Sequence, residues 1–298
     1  MGAATINNAI QEHRDYAAQL GFSPPPMGLR IILGGRQKKA GAGSTPLFGI
    51  RTDFQQISDA FSHAFLYGGD INLPGGYTTA LLTLSAVHVD MTLNYATPAG
   101  FAFTDDRVKA TVYHELSHAS HYAYAGKALY STFVNNELTE ISQHPNDSYT
   151  PYGIGVSAGS GLIALGEAWA NHMGFYLCNK KYNVDPGAIK GDGNIFVQSY
   201  QTLIGTDLVA LENFDPTLVQ DPFKWIPIGL MLDLMDAGID PINVNHVNDA
   251  VSGYTISQIF NALQSDVSSI AQYKARILQL YGTTQQTQIN SLFTSYGY

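Results

Sequence analysis

The segment His114-Glu115-Leu116-Ser117-His118 holds the residues of this chain most able to do chemistry together. On a helix, side chains four apart differ by only about 40° in azimuth, so the two imidazoles face one side and can share one ion. Neutral imidazole is a good ligand for Zn2+. Glu115 then lies beside the metal without ligating it, placed to accept a proton from a metal-activated water and deliver it to a leaving amine. Zinc lowers the pKa of such a water to around 7, which makes a nucleophile available at neutral pH. With 9 His in the chain, a chance His-Glu-x-x-His has a probability on the order of half a per cent. The bland alternatives are two unrelated surface histidines, or a zinc site without chemistry.

A catalytic zinc needs a third protein ligand and an open position. Glu167 ranks first. It lies within Leu162–Leu177, a run apolar on nearly every face, where an ionised carboxylate without a partner would be very costly. Asn171, one turn on, is placed to support a ligating residue by a hydrogen bond. Glu137 ranks second, nineteen positions after His118 but in the polar stretch Asn135–Glu140, which also fits an ordinary solvated carboxylate. His144 and His121 complete the candidates. His121 falls about 20° from His114 on the helix face, but a third ring one turn along a straight helix would have to bend back to share the ion. The single cysteine, Cys178, excludes thiolate ligation and intramolecular disulfides. His172, in apolar surroundings, reads as a core histidine. Asp233 and Asp236 read as a buried polar pair or as support for the site.

Around these residues the pattern predicts a helix over 4–20, ended by Gly21 and Pro24-Pro25-Pro26. Short strands follow at 29–33 and 46–50, and a further helix at 53–67. Alternation over 87–95 predicts a half-buried strand. Thr104-Asp105-Asp106 starts a helix to about Tyr124, ahead of Gly126, and this helix carries the motif. A second apolar helix is expected at 160–177. Helices at 226–235, 256–265, 269–281 and 287–294 fill the remainder. The expected fold class is α+β, a small mixed sheet with an active-site helix and a mostly helical C-terminal part. Residues 1–104 form the N-terminal α/β part with its edge strand, 105–180 the zinc-binding helices, and 181–298 a helical subdomain.

Two further motifs carry a resemblance. Gly166-Glu167-Ala168-Trp169-Ala170-Asn171 is similar to the second-helix motif of the gluzincin branch of zinc peptidases, in which His-Glu-x-x-His is completed by a glutamate. Val112–Tyr122, Tyr152-Gly153-Ile154-Gly155 and that second helix together resemble uncharacterised exported zinc-metalloprotease-like proteins of Bacteroidetes-type bacteria. The likeness spans about residues 88–180, with an extension at 225–231. The metzincin completion is absent, since His121 and Tyr124 stand where Gly and His would be required. The resemblance implies a zincin-like fold with strand, turn and metal-bearing helix in order. It implies His114, His118 and Glu167 as zinc ligands, Glu115 as general base and a peptide or protein substrate. A Tyr or His that stabilises the oxyanion is also implied, with Tyr149, Tyr152, His144 and His172 all open. The strand at 87–95 would be the edge that pairs with an extended substrate.

The net charge of −9 argues against nucleic acid, because a polyanion requires a basic face. Arg36-Gln37-Lys38-Lys39 reads as a solvated loop tip. No apolar run reaches the roughly 18 residues that span a bilayer. The N-terminus lacks signal-peptide regions, while few Lys and abundant Tyr, Asn, Gln, Ser and Thr have the flavour of an exported, cell-surface or periplasmic protein. The reading from another functional class is a surface binding or adhesion module with a structural zinc, whose fourth position would be closed by a side chain such as His121.

Overall fold

The computed structural model describes residues 2–29, 31–34, 41–43, 91–94, 105–143, 155–183, 225–236 and 250–298. Helices dominate them, in the order α1 (Gly2–Leu20), α2 (Asp105–Ala125), α3 (Lys127–Gln143), α4 (Ser160–Tyr182), the single turn α5 (Leu230–Asp233), α6 (Ile256–Asn261), α7 (Ile270–Tyr281) and α8 (Gln286–Ser295). Three short strands, β1 (Ile31–Gly34), β2 (Gly41–Gly43) and β3 (Met91–Asn94), lie between α1 and α2 in the chain.

The α+β expectation is therefore corrected. About 70% of the described residues are helical, and the principal core is helix packed on helix. The reason lies in α4, which is buried from Leu162 through Ala170 and again at His172–Gly174, Leu177 and Cys178. A helix apolar all round must be wrapped by other elements, and here other helices do it. One hydrophobic cluster joins Ile6 and Ala9 of α1, Val112 and Leu116 of α2, Trp169 and Met173 of α4, and side chains of α5 to α8 such as Ile259, Ile277 and Phe293.

The edge-strand expectation is corrected as well. The sheet order is β1-β3-β2, so β3 is the middle strand. Ile31–Gly34 pairs with Met91–Asn94 in parallel, and Gly41–Gly43 pairs antiparallel with Thr92–Asn94 on the other side. With both sides paired over Thr92–Asn94, that part of the strand has no free ladder to offer a substrate backbone. The strand expected at 46–50 and the helix expected at 53–67 lie outside the described residues, as does the basic stretch 36–39.

Three local features position the site. First, α2 and α3 are separated by Gly126 alone, at φ +88°, and the Gly126 N–H donates to the Tyr122 carbonyl at 2.9 Å. A left-handed residue ends one helix and lets the next begin at a new angle, which only glycine does without strain. Second, α4 has glycines where its neighbours come closest. A Cβ on Gly174 would sit 3.0 Å from the Ala110 carbonyl oxygen and 3.2 Å from His114 Cβ, and one on Gly166 would sit 2.5 Å from Phe133 Cε2. Third, α1 backs the motif helix. Glu12 accepts from Lys109 Nζ at 2.9 and 2.8 Å, from Tyr113 Oη at 2.6 Å and from Lys181 Nζ at 2.9 Å, tying α1 to α2 and α4. Among the described residues no helix is long and apolar enough to cross a membrane.

Candidate metal centre

His114 and His118 lie on α2 and Glu167 on α4, and the packing of these two helices brings their donor atoms together. The two Nε2 atoms are 3.3 Å apart. His118 Nε2 is 3.1 Å from Glu167 Oε1, and His114 Nε2 is 3.5 Å from Glu167 Oε2. Tetrahedral ligands bonded to zinc at about 2.0–2.1 Å are separated by about 3.3 Å from one another, so all three spacings match the edges of such a tetrahedron. Two imidazole nitrogens at this distance, with a carboxylate closing the triangle, form a donor set suited to a divalent transition-metal ion.

The cluster is largely buried. Glu167 is 2% exposed and Glu115 5%, while the His114 side chain is the most open at 15%. Burial, with the neighbouring His118, outweighs the pull of Glu167 and lowers the His114 pKa to about 4, so this imidazole is neutral and its lone pair is available at neutral pH. Burial also opposes charge on His118, but Glu167 and Glu115 outweigh it and raise that pKa.

Glu137 stands close by. It lies on α3 and is buried, and burial together with the charges of Glu167 and Glu115 pushes its pKa well above the usual carboxylate range. It hydrogen-bonds Glu167, while the potential ligand atoms lying within 4.8 Å of one another are those of His114, His118 and Glu167. The solvated reading of the Asn135–Glu140 stretch is corrected, because α3 turns Glu137 and Glu140 inward. Glu140 accepts from three successive backbone N–H groups, of Gly155 at 2.7 Å, Val156 at 3.1 Å and Ser157 at 3.0 Å. Burial alone would raise its carboxyl, but the Ser157 side chain and these amides outweigh that and hold it low. The chain entering α4 is thereby pinned to α3.

Asn171 is placed differently from expectation. Its Nδ2 donates to the main-chain carbonyl of Glu167 at 2.8 Å, which steadies the α4 backbone rather than the Glu167 carboxylate. His121 is buried with its ring edge-on to Tyr130, centroids 5.4 Å apart, and is not grouped with the donor atoms. His172 is fully buried and stacked on Tyr176 at 5.6 Å, with neither ring nitrogen hydrogen-bonded. Asp233 accepts from Tyr296 Oη at 2.7 Å. His144, Tyr149 and Tyr152 lie outside the described residues.

Tyr130 escaped the sequence reading. Its hydroxyl lies 3.1 Å from His118 Nδ1, delivered by α3 from twelve residues down the chain. No motif spacing signals it. Behind the motif, Ser117 Oγ donates to the Tyr113 carbonyl at 2.7 Å, so it accepts from His13 Nε2–H at 3.1 Å. Trp169 Nε1 donates to the Ser117 carbonyl at 3.0 Å, linking α4 to the same turn of α2.

Comparison with known proteins adds nothing to this geometry. No family model matches the chain, and no curated protein or solved structure does.

Proposed function

We propose that this protein is a zinc-dependent hydrolase that cleaves peptide bonds. The observation that carries the reading is the convergence of His114 Nε2, His118 Nε2 and the Glu167 carboxylate from two helices at tetrahedral spacings. Zinc bound there would supply a Lewis acid and acidify a water at neutral pH.

The chain's own residues supply the rest. Glu115, next to His114 and buried beside the donor set, takes the proton from the attacking water as its oxygen adds to the scissile carbonyl. It then passes that proton to the amine as the C–N bond breaks, so the carboxylate is regenerated. The low exposure of Glu115 and Glu167 keeps bulk water away and strengthens each charge interaction. Substrate must enter past His114, the most open of the three ligands.

The competing reading, a binding module with a structural zinc, calls for a protein side chain in the fourth position. His121 was its candidate, and that ring lies against Tyr130 instead. Metal analysis and peptide hydrolysis by wild type and Glu115→Gln test the proposal. Stoichiometric zinc in both, with hydrolysis lowered about 10²–10⁴-fold in the variant, is expected. A wild type without zinc, or a variant that cleaves as fast as wild type, refutes it.

A further inference from the structure

We infer that Tyr130 is a positioning residue for the metal centre, its phenol hydroxyl holding the His118 ring so that Nε2 faces the cation; the inference rests on the metal reading above. A metal-ligating imidazole must present a lone pair at one nitrogen, which places its proton on the other. That N–H is usually fixed by a carboxylate or a backbone carbonyl. Here the group 3.1 Å from His118 Nδ1 is the Tyr130 hydroxyl.

The phenol cannot drift. Tyr130 is 1% exposed, and its ring is boxed by Tyr122 at 5.7 Å and 88°, His121 at 5.4 Å and 84°, and Phe133 at 5.3 Å. Phe133 also lies 5.6 Å from the His118 ring, and it occupies the space that a side chain at Gly166 would take. The residue before the ligand Glu167 thus has no side chain because the aromatic box extends to α4. Burial and the charges of Glu167, Glu137 and Glu115 hold the Tyr130 hydroxyl far from ionisation, so it serves as a neutral phenol throughout.

A hydroxyl differs from the usual carboxylate partner in a way that matters. An imidazole that donates to Glu167 through Nε2–H accepts at Nδ1, whereas one whose Nε2 lone pair faces a cation donates at Nδ1. A carboxylate serves only the second, but a hydroxyl serves both, since it donates and accepts. Tyr130 can therefore meet His118 Nδ1 either as donor or as acceptor while the ring keeps one orientation.

The test compares wild type, Tyr130→Phe and the control Tyr122→Phe, which removes a hydroxyl from the same aromatic box. Zinc affinity is read by competition with a chromophoric chelator, and cobalt(II) absorption reports the ligand field. Tyr130→Phe is expected to weaken zinc binding about 10–100-fold and to shift the cobalt spectrum, with Tyr122→Phe close to wild type. Equal affinity and an unchanged spectrum in Tyr130→Phe overturn the inference and leave the metal reading standing. A wild type that binds neither ion overturns both. If Tyr130→Phe does not fold, imidazole 15N–1H correlation spectra of zinc-loaded wild type decide. His118 protonated at Nδ1 supports the inference, and protonation at Nε2 overturns it.

Discussion

Replacing His172 with Leu should make the protein less sensitive to acid. His172 is fully buried, and neither ring nitrogen has a hydrogen-bond partner. Burial lowers its pKa to about 3 from an ordinary 6.5, so the folded protein holds it neutral while the unfolded chain binds a proton as the pH falls below 6.5. Stability from this site is thus fully present above pH 6.5 and is lost progressively as the pH drops toward 3. Each pH unit in that window costs about 1.4 kcal/mol, or about 2.7 kcal/mol by pH 4.5. At pH 7 the substitution removes two unpaired buried nitrogens and gives up the stacking on Tyr176, opposing effects of about 1–2 kcal/mol each. The informative quantity is the change with pH. Urea unfolding at pH 7.0 and 4.5 should show the variant gaining about 2–3 kcal/mol relative to wild type between the two. Other titrating groups, including His13, whose pKa burial also lowers to about 3, are common to both proteins and cancel. If wild type and variant lose stability in parallel, His172 is not held neutral in the folded state and the reasoning fails.

Two more substitutions probe how the helices are held. Gly166→Ala should destabilise by about 1–3 kcal/mol, since its Cβ would overlap Phe133 Cε2; thermal melts measure this, and weakened zinc uptake should accompany it as the ring presses on His118. Glu140→Gln replaces a carboxylate that accepts three backbone N–H bonds and should cost about 1–3 kcal/mol. Hydrogen exchange should then show the amides of Gly155, Val156 and Ser157 opening faster, and unchanged protection there would refute the pinning role.

How far the sequence revealed the molecule differs by element. The motif and Glu167 were readable because each breaks a local rule: two imidazoles at one helical spacing, and a charge in an otherwise apolar helix. Helix α4 was legible for the same reason, since its burial is written in its composition. By contrast, α3 was not anticipated. Its stretch Asn135–Glu140 looks solvated in one dimension, but Glu137 is buried near Glu167 and Glu140 is saturated by amides from beyond the helix, partners that only tertiary packing supplies. Tyr130 escaped notice because it is set by the corner at Gly126, not by any periodicity. The α+β class rests on strands expected at 29–33, 46–50 and 87–95 and on the zincin resemblance, yet alternation cannot show that the strand at 91–94 is four residues long and lies in the middle of a small sheet. Asn171 had the right spacing to help Glu167, but it satisfied the nearer backbone carbonyl.

The corner at Gly126 also has a bearing on the order of folding. His114, His118 and Tyr130 come from one short run of chain, and their contacts close small loops with little loss of chain entropy. Glu167 belongs to a later helix and joins them only once α4 has docked. Two of the three donors are thus local and the third is long-range. A cation that needs all three donors will bind only the docked form, and will stabilise it by mass action. On the proposed metal reading, affinity at this centre is a gauge of tertiary assembly: a change that loosens α4, however far from the imidazoles, is expected to weaken metal binding.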